Sequence, residues 1–274
     1  MASHEFTSIR SPRIKGARRL AKRAFRQRER RFLAEGPQAV REALALPEVV
    51  RELYATAEAM QRHGSLVRTA EQAGVPVHRV TLDVMGELAQ TVTPQGLLAV
   101  CSFVDVPLSA LDRPRLVVVL SHVRDPGNAG TVLRTADAAG ADAVVFTDAS
   151  VDPYNGKCVR ASAGSLFHLP IVVGARIDEV ARFLRQAGLT LLAADGRGER
   201  SLDDVSDSGM LAGPVAWVFG NEAWGLPEET IALTDGAVSV PIYGSAESLN
   251  LATAAAVCLY ATAREQRRTS TLPV

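Results

Sequence analysis

The carboxyl-terminal half of the chain alternates short apolar runs with helical stretches. The apolar runs are not interrupted by alternating polar residues, which is the pattern of strands buried on both faces of a sheet. They lie at residues 116–120, 143–146, 169–173, 189–193, 215–219 and 237–240. Helical stretches at residues 128–139, 177–187, 227–234 and 249–265 separate most of them. This order predicts an α/β fold with a parallel sheet covered by helices.

The amino-terminal hundred residues predict a smaller α/β module. Its strands are predicted at 32–36, 49–55, 75–80 and 96–103, and its helices at 15–31, 37–46, 58–73 and 83–89. We expect the first nine residues to be disordered. The predicted domains are an arm and module at 1–106, a linker at 107–114, a second domain at 115–268 and a tail at 269–274.

Composition places the chain among soluble globular proteins. Of its 274 residues, 47% are hydrophobic and 22% charged. No apolar run approaches the roughly 18 residues of a membrane span, and the amino terminus lacks the apolar core of a secretory signal. We therefore expect a cytoplasmic protein with no membrane partner. Cys101, Cys158 and Cys258 are widely spaced and form no CxxC, which predicts neither a disulfide framework nor a metal site.

The charge is distributed unevenly, although the formal net charge is zero. Residues 10–31 hold eleven arginines and lysines against one glutamate, a net charge of +10, so the remaining residues carry −10. A solvated helix face would interleave acids with the bases to form i,i+4 pairs. A dense basic arm on an acidic protein instead favours contact with a polyanion such as a nucleic acid.

Three blocks of glycine and polar residues follow apolar runs in the second domain. The first, residues 120–136, reads as a strand, a loop with Gly127 and Gly130, and a helix, an arrangement that cradles phosphate or ribose. A Rossmann site is the alternative, with Asp148 after the next strand as its ribose-binding acid. The spacing is only G-x-x-G, however, so a dinucleotide-dependent enzyme is disfavoured.

The second and third blocks lie close together near the end of the chain. Residues 217–226 contain Gly-Asn-Glu directly after a strand, where ligands gather in open α/β sheets. Residues 240–256 contain a strand that ends at a proline, a glycine loop, and Ser-Leu-Asn opening an alanine-rich helix. The start of a helix offers unpaired N–H groups to a ligand, but a simple helix cap is an equally good interpretation of the third block taken alone.

In this order the three blocks resemble the motifs of the SpoU/TrmH branch of the SPOUT RNA methyltransferases, over about residues 113–265. The amino-terminal module resembles the L30e-like substrate-binding domain of many members, at residues 30–36 and 93–100. The resemblance implies a deep trefoil knot in the carboxyl-terminal domain and S-adenosyl-L-methionine as the cofactor. It also implies a homodimer with the last helix in the interface.

The resemblance also assigns roles to individual residues. The catalytic set that it implies is Arg134, Asn128, Glu222, Ser248 and Asn250. The cofactor-binding set is Gly220, Asn221, Val240, Ile242, Leu249 and Leu251. The expected contacts to substrate RNA are Arg160 and, in the arm, Arg10, Arg13, Lys15, Arg18, Arg19, Lys22 and Arg23. Because a guanidinium stays protonated in proteins, we expect Arg134 to stabilise the developing alkoxide rather than to accept its proton.

The sequence therefore predicts methyl transfer from S-adenosyl-L-methionine to a ribose 2′-OH of structured RNA, with 23S ribosomal RNA as the expected substrate and transfer RNA as the alternative. A non-catalytic RNA-binding or ribosome-assembly factor is the alternative from another class. The thiostrepton- and avilamycin-resistance methyltransferases share this two-domain plan, so antibiotic self-protection and housekeeping modification are both open.

Overall fold

The structure, a computed structural model, describes residues 5–270, and the predicted tail at 269–274 therefore lies mostly outside the described residues. The helices are α1 (Pro12–Arg19), α2 (Arg23–Glu29), α3 (Pro37–Ala45), α4 (Ala57–Arg62), α5 (Gly64–Gln72), α6 (Leu82–Leu88), α7 (Pro126–Ala139), α8 (Gly156–Ala161), α9 (Ile177–Gln186), α10 (Leu202–Asp207), α11 (Glu228–Ile231) and α12 (Leu251–Ser270). The strands are β1 (Arg31–Glu35), β2 (Val50–Ala55), β3 (Val77–Arg79), β4 (Leu97–Ser102), β5 (Leu116–Leu120), β6 (Ala143–Thr147), β7 (Ile171–Ala175), β8 (Thr190–Ala194), β9 (Arg200–Ser201), β10 (Val215–Phe219) and β11 (Gly236–Ser239).

The chain divides into two compact units. Unit 1 comprises the residues up to Val104 together with Tyr154–His168, and unit 2 comprises Asp105–Pro153 together with the residues from Leu169 onward. Unit 1 contains a four-stranded sheet in the order β1-β4-β2-β3. Strand β4 pairs antiparallel with β1 and β2, and β3 pairs parallel with β2.

The basic arm is folded onto unit 1, and it forms two helices where one was predicted. Ile14 of α1 is fully buried and belongs to the apolar core of unit 1. The side chain of Arg26 folds back and donates hydrogen bonds to the carbonyls of Leu20 and Ala21, at 3.0 and 2.7 Å, across the break between α1 and α2. The expected disorder of the first residues is wrong from residue 5 onward, since Phe6 bridges to Val80 in unit 1.

An aromatic cluster explains why Tyr154–His168 belongs to unit 1 and not to the second domain predicted at 115–268. The ring of Tyr154 stacks on Phe103 with 3.8 Å between centroids and lies 4.8 Å from Phe32. Its hydroxyl also accepts a 2.9 Å hydrogen bond from the backbone N–H of Val104. Phe167 stacks on Phe32 from the other end of the segment, at 6.0 Å.

Unit 2 contains a seven-stranded sheet in the order β7-β6-β5-β10-β8-β11-β9, and all its strand pairs are parallel. The strands predicted at 116–120 and 215–219 match β5 and β10 residue for residue. Every residue of β5, β6 and β10 is buried, as the unbroken apolar runs predict. Short helix α8, strand β9 and helix α10 were not predicted.

The segment predicted as a linker at 107–114 packs onto unit 2. The backbone N–H of Val106 donates a 2.8 Å hydrogen bond to the carbonyl of Ile171. Leu111 is buried among the core residues of unit 2, where Leu108 also packs. The polar and proline residues of this segment therefore form a turn against the sheet, and unit 2 begins at Asp105. Among residues 5–270, no helix is long and apolar enough to cross a membrane.

Candidate functional site

The carboxyl ends of four neighbouring strands of unit 2 lie at one edge of the sheet. Parallel register places Phe219 of β10 opposite Leu120 of β5 on one side and opposite Ala194 of β8 on the other. Val238 of β11 in turn lies opposite Ala194. The loops that follow β5, β10, β8 and β11 therefore leave the sheet side by side, in the place where open α/β sheets bind ligands.

The loops after β8, β10 and β11 line a cavity of about 430 Å³ in unit 2. The six residues predicted to bind cofactor all line it, as do Glu222 and Ser248 of the predicted catalytic set. Its lining residues are Ala194, Asp195, Gly196, Arg197, Gly220, Asn221, Glu222, Ala223, Trp224, Gly225, Val238, Val240, Ile242, Glu247, Ser248, Leu249, Leu251 and Ala254. The lining therefore combines aliphatic side chains with three carboxylates and one guanidinium.

The loop after β10 is held in a tight turn that requires glycine. Asn221 and Gly225 exchange backbone hydrogen bonds of 2.9 Å in both directions. A Cβ atom on Gly220 would lie 2.5 Å from the carbonyl oxygen of Gly225, closer than real Cβ contacts allow. The side chain of Asn221 donates a 3.2 Å hydrogen bond to the carbonyl of His122, which joins this loop to the loop after β5.

A chain of side-chain hydrogen bonds joins the three sequence blocks. Asn250 Nδ2 donates to Asn128 Oδ1 at 3.1 Å, and Asn128 Nδ2 donates to Glu222 Oε1 at 2.7 Å. Asn128 is held in the first turn of α7, where its N–H bonds to the capping Asp125 at 2.8 Å. Asn250 also caps α12, since its Oδ1 accepts from the N–H of Ala252 at 2.9 Å. The capping role and the contact with Asn128 therefore hold together.

An ion pair that the sequence analysis missed lies in the loop after β8. The buried carboxylate of Asp195 accepts two hydrogen bonds of 2.9 Å from the guanidinium of Arg197, which also donates to the carbonyl of Leu226 at 3.3 Å. The Arg197 side-chain hydrogen bonds hold the pKa of Asp195 below its usual range. The signal was present as Asp-Gly-Arg-Gly directly after an apolar run, at the sheet edge where ligands bind.

Arg134 does not line this cavity. It lies in α7, is exposed to solvent, and makes no hydrogen bond or ion pair with any residue from 5 to 270. Six residues separate it from Asn128, which is about 9 Å along a helix axis. Its guanidinium is therefore available to a group outside the described residues.

The residues predicted to contact RNA lie in unit 1. Arg160 of α8 forms a 3.3 Å ion pair with Glu35, whose carboxylate also accepts from Thr91. Two of the arm cations predicted to contact RNA are also paired: Arg13 with Glu52 at 3.1 Å and Arg18 with Glu87 at 2.9 Å. The other arm cations predicted to contact RNA are exposed and form no ion pair within residues 5–270: Arg10, Lys15, Arg19, Lys22 and Arg23.

The cysteines and the acids offer no further chemistry in the part of the chain that the structure describes. Cys101, Cys158 and Cys258 are buried, and burial raises the pKa of Cys258 to about 12. No cluster of three or more His, Cys, Asp or Glu side chains within residues 5–270 is arranged to hold a metal ion.

Comparison with known proteins decides the family. The model of the SpoU rRNA Methylase family matches residues 115–260, and that of the MRM3-like substrate binding domain matches residues 11–99. The chain is 33% identical to the 23S rRNA (guanosine(2553)-2′-O)-methyltransferase RlmP of Bacillus subtilis, over 93% of this chain and 98% of that protein. It belongs to the SpoU rRNA methylase family.

Solved structures agree with the SpoU assignment. An AdoMet-bound rRNA methyltransferase from Sinorhizobium meliloti superposes with a TM-score of 0.82 at 30% identity, over 98% of this chain and 99% of that one. The SpoU methyltransferase AviRb from Streptomyces viridochromogenes, in complex with AdoMet, gives 0.82 at 29% identity, over 95% and 100%. The predicted parallel-sheet SPOUT domain and SpoU/TrmH kinship are thus confirmed, while the trefoil knot stays a prediction.

Proposed function

We propose that the protein transfers the methyl group of S-adenosyl-L-methionine to a ribose 2′-OH in 23S ribosomal RNA. The observation that carries this proposal is the hydrogen-bond chain Asn250–Asn128–Glu222. It brings three distant parts of the sequence to the edge of one cavity. A protein that only bound RNA would have no use for a polar chain beside a cavity of this kind, so the non-catalytic alternative is disfavoured.

The cavity fits S-adenosyl-L-methionine in size and chemistry. Its volume of about 430 Å³ lies within the range of small-molecule sites. Val240, Ile242 and Leu249 would pack against the adenosine, and the glycine turn at Gly220 lets backbone approach the ligand closely. The carboxylates of Glu222 and Glu247 suit a ligand that carries a sulfonium and an ammonium group.

When bound, the cofactor supplies a methyl group already activated by the sulfonium charge. The protein then has to position the ribose hydroxyl in line with that methyl group, and such positioning contributes about 7–11 kcal/mol in favourable cases. We assign this role to Asn128 and Asn250, which are joined to Glu222 by hydrogen bonds, and to Ser248, which lines the cavity. Glu222 orients Asn128, because an ionised carboxylate accepts a strong hydrogen bond from its amide.

We assign Arg134 to the charge that develops on the attacking oxygen. A guanidinium stays protonated in proteins and cannot act as the base, so its contribution is electrostatic. Its exposure and its lack of a partner among the described residues leave it available to the RNA. The phosphates of the RNA would bind the arm cations that form no ion pair. Arg160 would have to break its ion pair with Glu35 before it could bind a phosphate.

We also propose that the protein is a homodimer through α12. Val257 and Tyr260 of this helix are exposed, 39% and 53% of their surfaces respectively, and lie three residues apart on one face. Exposed apolar side chains on an otherwise packed helix favour contact with a second copy.

The test is methyl transfer from radiolabelled S-adenosyl-L-methionine to separate pools of unmodified ribosomal and transfer RNA. We expect label in ribosomal RNA. Label in transfer RNA alone would change the proposed substrate from ribosomal RNA to transfer RNA. Cofactor binding without label in either pool would favour a ribosome-assembly intermediate as the substrate. Failure to bind the cofactor at all would return the protein to the non-catalytic class. A ribosomal RNA substrate would place its action in the cytoplasm.

A further inference from the structure

Two adjoining cavities lie on unit 1, on the side where the basic arm meets β1. The larger has a volume of about 580 Å³ and the smaller about 290 Å³, and Glu29 and Arg31 line both. We call this surface the arginine groove, after the six arginines that line it: Arg13, Arg19, Arg28, Arg30, Arg31 and Arg51. Four of them, Arg28, Arg30, Arg31 and Arg51, were not among the predicted RNA contacts.

The groove carries more positive charge than its own acids can neutralise. Among the described residues, its acidic lining residues are Glu29 and Glu52. Glu29 pairs with Arg28 at 2.7 Å, and Glu52 pairs with Arg13 at 3.1 Å. The pKa of Glu29 is lowered by the hydrogen bond from Arg28 and by the charges of the neighbouring arginines. Arg31 forms no ion pair within residues 5–270, and six arginines against two glutamates leave the groove with an excess of positive charge that attracts an anion.

Two of the guanidinium groups are held over aromatic rings. The Cζ atom of Arg28 lies 4.8 Å from the centroid of Phe25, and that of Arg30 lies 4.6 Å from the centroid of Phe103. Phe103 is itself held in place by the stacked ring of Tyr154. A guanidinium supported in this way is a surface on which an unpaired base can stack.

Arg30 occupies a backbone conformation that does not suit an arginine. It ends α2 in the left-handed region, with φ of 52°, where glycine is the usual residue. An arginine here costs conformational energy relative to glycine. What the residue does gain is its position over Phe103 in the smaller cavity. Strain of this kind is often retained where a side chain serves binding.

We propose that the arginine groove binds two successive nucleotides of an unpaired RNA strand. The phosphates would contact Arg31, which lines both cavities, and the bases would stack at the Arg28–Phe25 and Arg30–Phe103 pairs. A duplex keeps its bases stacked on each other and would present only phosphates, leaving both aromatic pairs unused. The inference rests on the proposed RNA substrate and adds the form of RNA that unit 1 recognises.

The test compares the binding of a short fluorescent single-stranded RNA, alone and annealed to its complement, by the full-length protein without cofactor. The variants are Arg30→Gly, which keeps a residue suited to the left-handed turn, and Phe25→Leu, which keeps an apolar side chain. The matched control is Arg68→Gln, an exposed cation of unit 1 that lines neither cavity. Each groove variant should weaken single-strand binding by about tenfold, the cost of one lost stack, and the control should not.

Two further readouts decide the outcome. Arg31→Gln should reduce the magnitude of the slope of the logarithm of the binding constant against the logarithm of salt concentration by about 0.7. This is the contribution of one phosphate contact to a single strand. Tighter binding of the duplex, or equal losses in Arg68→Gln and Arg30→Gly, would overturn the inference. Methyl transfer separates this failure from failure of the proposed function. If the wild type methylates ribosomal RNA and Arg30→Gly does so with unchanged KM, only the groove assignment is wrong.

Discussion

The side-chain amide of Asn128 donates a 2.7 Å hydrogen bond to the carboxylate of Glu222, 94 residues further along the chain. The other end of the same amide accepts from Asn250. Asn128 therefore uses its amide donor to bond the loop of Glu222 and its amide acceptor to bond the segment of Asn250. An ionised side chain could not do this, because a carboxylate cannot donate and an ammonium cannot accept.

Asn128→Asp should disable the site while the fold survives. The change replaces a hydrogen bond to a charged group, worth about 1.5–3 kcal/mol, by repulsion between two carboxylates. We expect methyl transfer to fall by at least about tenfold. The matched control is Asn155→Asp, because Asn155 caps α8 with an oxygen that aspartate also provides. Equal activity in both variants would exclude the proposed role of Asn128.

Arg134→Ala should separate catalysis from stability. The side chain is exposed and has no partner among the described residues, so the free energy of unfolding should change by less than about 0.5 kcal/mol. Loss of a group that stabilises developing charge costs about 10²–10³ in kcat. Calorimetry should show unchanged cofactor affinity. Arg182→Ala, an exposed arginine of α9, serves as control, and normal turnover by Arg134→Ala would refute its assignment.

Gly220→Ala should damage the cavity through the backbone. Its Cβ would lie 2.5 Å from the carbonyl oxygen and 2.6 Å from the carbonyl carbon of Gly225, so the turn would have to open. We expect cofactor affinity to fall by about tenfold or more, measured by calorimetry. Gly213→Ala is the control in the same unit, since the atom nearest to its added Cβ, the carbonyl oxygen of Met210, would lie 3.8 Å away and its φ is −80°.

The Asp195–Arg197 pair should make stability depend on pH in the acid range. The folded-state pKa of Asp195 is lowered, so the pair stabilises the fold fully above the ordinary aspartate value of about 3.9. This contribution is lost as the pH falls through the lowered pKa. In denaturant titrations, the stability difference between wild type and Asp195→Asn should be constant near neutral pH and shrink toward zero in acid. The exposed Asp112→Asn should show no such convergence.

The proposed dimer has its own test. Light scattering on the wild type should give about twice the chain mass of 29.2 kDa. Tyr260→Glu places a charge on the exposed face of α12 and should shift the mass toward that of one chain. A wild type that is a monomer at all concentrations would rule out the dimer.

The strands of unit 2 could be predicted closely because they are buried on both faces and therefore appear as unbroken apolar runs. The break between α1 and α2 could not be predicted, since a run of basic residues carries little hydrophobic periodicity. The buried Arg26 side chain donates hydrogen bonds to backbone carbonyls at this break, and no local pattern indicates those bonds. The placement of Tyr154–His168 with unit 1 depends on aromatic contacts with Phe32 and Phe103, which no local pattern records.

The candidate site could likewise be predicted only in part from the sequence. Its residues were grouped through resemblance to a family, while the physical link between Asn128, Glu222 and Asn250 became visible only when parallel register set the loops side by side. The ion pair of Asp195 and Arg197 was missed because the loop after β8 belongs to none of the three motifs. Its position at the end of a central strand was nevertheless a usable signal.

The most direct test of the central claim is the chemical position of the transferred methyl group. Ribosomal RNA labelled by the protein from radioactive S-adenosyl-L-methionine is hydrolysed in alkali, which requires a free 2′-OH at each cleaved linkage. The proposed ribose methylation predicts that the label is recovered in an alkali-resistant dinucleotide. Recovery of the label in mononucleotides would place the methyl group on a base and contradict the account.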